Sequence, residues 1–158
     1  MSLERGILEM VLALICHDQG GAELLSRWAL DQKENIFFSL EGPAQKVFLR
    51  NYGFFQNFSY KEAILKSDRV ICGTSWQSDL EKKAIKFAKE NNKEVIAFLD
   101  HWINYKERFL LFNEYIFPDE IWVCDKFAFS KASQIFQNIK LKLKKNYYLD
   151  NITKEIFQ

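Results

Sequence analysis

The chain has 158 residues and a formal net charge of +1, with 48% hydrophobic, 16% aromatic and 27% charged residues. That length suggests one domain, able to bury about 70% of its unfolded surface without a disulfide or metal staple. The composition excludes disordered, collagen-like and low-complexity classes, and the balanced charge argues against a strongly basic nucleic-acid or membrane-surface protein.

Apolar runs of strand length alternate with stretches of helical period. Val11–Cys16 reads as the first strand. After Gly20 and Gly21, an amphipathic stretch places Leu24, Leu25, Trp28 and Ala29 on one helical face. Asn35–Leu40 reads as the second strand and 69–73 as the third. Residues 77–91 carry the clearest helix signal, with Leu80, Ala84, Phe87 and Ala88 on one side. Asp79 and Glu81 sit near its start and Lys89 and Lys93 near its end, as the helix dipole favours. Further strands are expected at 94–99 and 120–124, then a short helix at 127–136. The alternation at 139–143 suggests an edge strand with one wet face, and a closing helix is expected at 148–157. Short strands that are apolar throughout, separated by helices, mean a mostly parallel sheet with right-handed crossovers and helices on both faces. The expectation is one three-layer α/β domain over 1–158, with an open sheet of about six strands.

In such a sheet ligands bind outside the carboxyl ends of the strands, at the topological switch point. Four of the six glycines and both histidines follow those ends. After the first strand come His17, Asp18, Gln19, Gly20 and Gly21; after the third, Gly73, Thr74 and Ser75. After the fourth come Asp100, His101, Trp102 and Asn104, and after the fifth Asp125. Gly20 and Gly21 start a helix, so their N–H groups either face an anion or simply make a tight turn. Thr74 and Ser75 either cap the next helix or bind a phosphate or sugar hydroxyl. His101 is a candidate acid or base oriented by Asp100, and His17–Asp18 is a similar pair. Trp102 and Tyr105 either stack on a ligand ring or pack on the sheet, and packing is the commoner role. Arg108 is expected on the surface. If the first and third strands are neighbours, His17 lies close to Gly73 and Thr74.

Several classes find no support. There is no G-x-G-x-x-G or P-loop, so neither a nicotinamide cofactor nor any other is expected. No nucleophilic triad is evident. Cys16, Cys72 and Cys124 each end an apolar run, so they read as buried hydrophobes in a cytoplasmic chain, with no disulfide or zinc site. No apolar run reaches the roughly 18 residues of a membrane span. Glu4, Arg5 and Glu9 interrupt the start, so no secretory signal is expected. Lys140, Lys142, Lys144 and Lys145 read as a solvated edge, and nucleic-acid binding there is not expected. The aromatic-rich 51–60 segment is either a loop leaning over the cleft or a surface buried against a partner.

The Gly20-Gly21 helix start resembles the amino-terminal, acceptor-side Rossmann-like domain of GT-B-type glycosyltransferases and the related UDP-sugar 2-epimerases. So do the order of elements around Ser67 to Ser75 and the run from Pro118 to Asp125. The resemblance implies a nucleotide-sugar, sugar or acceptor in the cleft. It also implies a donor site on a second domain, partner subunit or homo-oligomeric copy; His17 and His101 are candidates for the base by their position after the strands alone. Two other classes stand beside it. One is a small nucleoside or nucleotide hydrolase or transferase using Asp18, Asp100 and Asp125. The other is a non-catalytic binding or assembly module.

Overall fold

The apolar runs assemble side by side. The computed structural model describes residues 10–149 and Ile156. Its strands are β1 (Val11–Cys16), β2 (Asn35–Leu40), β3 (Arg69–Cys72), β4 (Glu94–Phe98), β5 (Leu110–Leu111), β6 (Glu114–Tyr115), β7 (Glu120–Val123) and β8 (Lys140–Leu143). Its helices are α1 (Gln19–Leu30), α2 (Pro43–Asn51), α3 (Tyr60–Leu65), α4 (Leu80–Glu90) and α5 (Lys126–Ile135). Six strands form one wholly parallel sheet in the order β2-β1-β3-β4-β7-β8. This is a single Rossmann-like three-layer α/β arrangement.

Alternate residues of each strand feed two cores, as the period of two demands. Ala13, Ile15, Val70, Val95 and Ile121 pack under α3, α4 and α5. Leu12, Leu14, Ile71, Phe98 and Trp122 face the side that carries α1 and α2. Every residue of β1 and β7 is buried, which is why these strands lack alternation in sequence. Chain direction across the sheet reverses between β1 and β3, so the switch point lies at their carboxyl ends.

Two aspartates pin the register from the opposite end. Asp68 precedes β3; its carboxylate accepts from the Val11 N–H at 2.9 Å while its own N–H donates to the Val11 carbonyl at 2.8 Å. Asp119 repeats the device before β7, on Val95, at 2.9 Å in both directions. The other edge is closed by the 52–59 segment. Asn57 donates to the Leu40 carbonyl at 2.9 Å and accepts from the Leu40 N–H at 2.7 Å, and Phe58 donates to the Phe38 carbonyl. That segment therefore runs along β2.

Four elements were not foreseen. α2 starts with Pro43 in its first turn, after Gly42 at φ +56°, and offers only Ala44, Val47 and Phe48 as an apolar face. α3 has six residues, with the Ser59 hydroxyl accepting from the Glu62 N–H. β5 and β6 form a hairpin whose turn residues, Phe112 and Asn113, both have positive φ. The closing helix expected at 148–157 lies largely outside the described residues, as do Glu4, Arg5 and Glu9. Among the described residues no helix is long and apolar enough to cross a membrane.

Candidate functional site

The cleft is built where β1, β3 and β4 end. Asp18 precedes α1 in extended backbone, but its side chain does not cap the helix. It accepts instead from His17 Nδ1, at 2.6 Å. A carboxylate can only accept, so this bond places a proton on Nδ1. The ring turns towards Gly42 beyond β2, where a Cβ would meet Nε2 at 2.7 Å.

Asp100 follows β4 and is nearly buried, its side chain 4% exposed. Its Oδ2 lies 3.3 Å from His101 Nε2, and its Oδ1 lies 3.7 Å from Arg108 Nη1. A Cβ on Gly20 would run into the Asp100 carboxylate. The Asp100 carboxylate thus packs against the first turn of α1. Burial pushes the Asp100 carboxyl up, while His101 and Arg108 pull it back.

Two hollows open on either side of this pair. One, of about 230 Å³, is lined by Asp100, His101, Trp102 and Asp125. The other, of about 440 Å³, is lined by Gly20, Glu23, Asp100, His101, Asn146 and Tyr148. Trp102 is 55% exposed and is held in place from two sides. Its indole N–H donates to Asp125 at 3.0 Å, and its ring meets the Phe127 edge. Asp125 also caps α5 by accepting from the Ala128 N–H at 2.7 Å. Burial pushes Glu23 up, but bonds from Arg27 and Asn51 and the charges of Arg27 and Arg50 hold it below the usual glutamate range.

The remaining expected residues have different surroundings. Gly21 backs onto Cys16 and Gly73, at 3.6 and 3.7 Å from where its Cβ would be. Thr74 and Ser75 are buried. The Thr74 hydroxyl donates to the Phe98 carbonyl at 3.0 Å. Ser75 accepts from the Gln77 and Ser78 N–H groups before α4. Asn104 occupies a left-handed turn beyond Trp102. Tyr105 stacks on Phe136 in the core.

Two groups at the site escaped the sequence reading. Arg108, expected on the surface, is 4% exposed. Its guanidinium donates to the carbonyls of Thr74 and Ile103, so it ties together the loops after β3 and β4. Glu81, read as a dipole charge at a helix start, is buried beneath Gly73, with Oε2 2.5 Å from where a Gly73 Cβ would be. Neither of its oxygens has a hydrogen-bond partner of good geometry. Burial first, then Asp18 and Asp100, hold its carboxyl well above the usual range; the Ser75 N–H and Arg108 oppose this weakly. A helix-start glutamate is ordinarily exposed, and only the apolar run around it hinted otherwise.

Among the described residues, no group of three histidine, cysteine or carboxylate side chains is placed to hold a metal. Cys16 and Cys72 are buried free thiols, and burial raises both well above the usual thiol range. Comparison with protein-family models, with curated proteins and with solved structures gives no match.

Proposed function

We propose that this chain is the acceptor-side domain of a cytoplasmic glycosyl-transfer enzyme, binding a sugar or other hydroxyl-bearing acceptor in the cleft. The observation that carries the reading is the Asp100–His101 pair, which lies on the α1 amino terminus and walls both hollows. The Asp100 carboxylate lies against the first turn of α1, where it would repel a second anion, and Arg108 is spent on carbonyls and on Asp100. Such a cleft suits hydroxyls better than a diphosphate. In this reading His101 accepts the proton of the acceptor hydroxyl as its oxygen bonds to the anomeric carbon of the donor sugar, the bond from that carbon to the nucleoside diphosphate breaks and the diphosphate leaves, and Asp100 stabilises the imidazolium. His17–Asp18 is the second base, and Trp102 offers a flat apolar wall for a sugar ring. The nucleotide-sugar donor then belongs on a second domain, partner subunit or second copy.

The buried, unpartnered Glu81 favours a second reading, a nucleoside or nucleotide hydrolase or transferase. There Glu81 is a protonated carboxylic acid beside the Asp18 and Asp100 carboxyls, and this chain carries catalysis alone.

A thermal-shift screen separates them. A ligand at 100 times its dissociation constant adds about 2.7 kcal/mol, a rise of roughly 5 to 10 °C at this size. A rise with free sugars, lost in His101→Ala and Asp100→Asn, is expected. A rise with nucleosides but not sugars overturns the first reading in favour of the second, and a flat screen on folded protein overturns both.

A further inference from the structure

The deepest charged group of the cleft is under-satisfied. The Asp100 side chain is 4% exposed. Its neighbours are His101 Nε2 at 3.3 Å and Arg108 Nη1 at 3.7 Å, both beyond the roughly 2.7–2.9 Å of a charge-assisted hydrogen bond. A buried carboxylate without close donors carries a large desolvation cost. Asp100 lines both hollows of the cleft, so a bound molecule reaches it.

The charge around Asp100 narrows what that molecule carries. The smaller hollow has two carboxylates in its wall, Asp100 and Asp125, and among the described residues no lysine or arginine lines either hollow. The nearby cations are turned to other groups. Arg108 donates to the Thr74 and Ile103 carbonyls, Lys131 donates to the Trp102 carbonyl, and Arg27 and Arg50 bond Glu23. Cys124, in the wall of the smaller hollow, feels the resulting field: burial first, then Asp125 and Asp100, push its thiol up to about 12. An anion there would be repelled by both carboxylates. A metal ion would lack a third protein ligand, since no group of three is placed to hold one among the described residues. A hydroxyl would donate one hydrogen bond and leave the charge uncompensated. An ammonium brings three donors and the opposite charge. Trp102, in the same wall, is the side chain best suited to an organic cation.

We infer that the acceptor is an amino sugar whose protonated amine sits among Asp100, Asp125 and Trp102; this rests on the reading of the cleft as an acceptor site. The amine selects which sugar is held, and a hydroxyl of the same ring remains the group that His101 deprotonates.

The test is calorimetric titration of the full chain at neutral pH with glucosamine, N-acetylglucosamine and glucose, which differ at one ring position. Glucosamine is expected to bind roughly tenfold more tightly than the other two, the worth of one hydrogen bond to a charged group. Asp125→Asn keeps the shape of the wall and removes one charge, so it should abolish most of that preference. Asp100→Asn should do the same, which keeps the test decisive if either variant folds poorly. Equal affinity for the three sugars, or tighter binding of a neutral one, would leave the acceptor reading in place and overturn the amine. A glucosamine preference that survives both variants would put the ammonium elsewhere and also overturn the inference. No binding by any of the three would refute the acceptor reading, and this inference with it.

Discussion

Glu81→Gln isolates the proton held beneath the cleft. In the unfolded chain this carboxyl ionises near the ordinary value of 4.5. In the fold, burial and the charges of Asp18 and Asp100 keep the proton on to higher pH. Over that interval the native state binds more protons than the unfolded state. Stability therefore falls as pH rises, by up to about 1.4 kcal/mol per pH unit from this residue alone. Glutamine does not ionise, so the variant lacks that slope. Its amide, placed where neither carboxyl oxygen finds a partner, shifts the variant by a constant of about 1–3 kcal/mol, which leaves the slope untouched. Urea unfolding of both proteins across a pH series reads the difference directly. The stability of Glu81→Gln relative to the native chain should be flat below the ordinary glutamate value, climb above it, and level off past the native titration. Parallel profiles through neutral pH would show that Glu81 ionises as it does in water, and the argument from its burial would fail.

Three further outcomes follow from single contacts. Gly42→Ala should cost about 1–3 kcal/mol for a backbone at φ +56° and ψ −142°, which only glycine adopts readily, plus the displacement of the His17 ring. A thermal melt in the His17→Ala background should recover the second part and not the first, and equal costs in both backgrounds would contradict the contact. Arg108→Met strands the buried Asp100 carboxyl and two carbonyls, so urea unfolding should show a loss of about 3–5 kcal/mol, partly restored by adding Asp100→Asn. Asn57→Ala removes both bonds to Leu40, with about 1–3 kcal/mol lost and faster amide exchange at Leu40; unchanged exchange would show that the edge is held without it.

Five of the six main strands were legible because burial leaves an apolar run, as in β1 and β7, and β8 from its alternation of lysine and leucine. The longer helices were legible from their apolar period. α2 and α3 were not, since three or fewer buried residues make no period to detect. The β5–β6 hairpin uses two-residue strands and a Phe-Asn turn without glycine, so its signal was absent. At the site, position after a strand was enough to gather Asp18, Gly20, Asp100, His101, Trp102 and Asp125. Glu81 and Arg108 were misread because a charged residue is by default solvated. Only the convergence of loops after β3 and β4 gives Arg108 its carbonyl partners, and that convergence is a property of the tertiary structure.

The two margins of the sheet are unequal, and this restricts how copies of the chain can meet. Past β2, the Asn57 side chain imitates a neighbouring backbone and uses both polar groups of Leu40. An incoming strand would have to displace it. Past β8, four residues of alternating lysine and leucine carry the last row of ladder groups, with Lys140 and Leu143 exposed. Sheet continuation across a molecular boundary is therefore polar in direction. Among the described residues it is open at β8, where like charges would face one another in a symmetric pairing, and it is blocked at β2. A self-paired dimer through β8 opposes its own lysines, whereas an acidic strand from another protein would not meet that penalty.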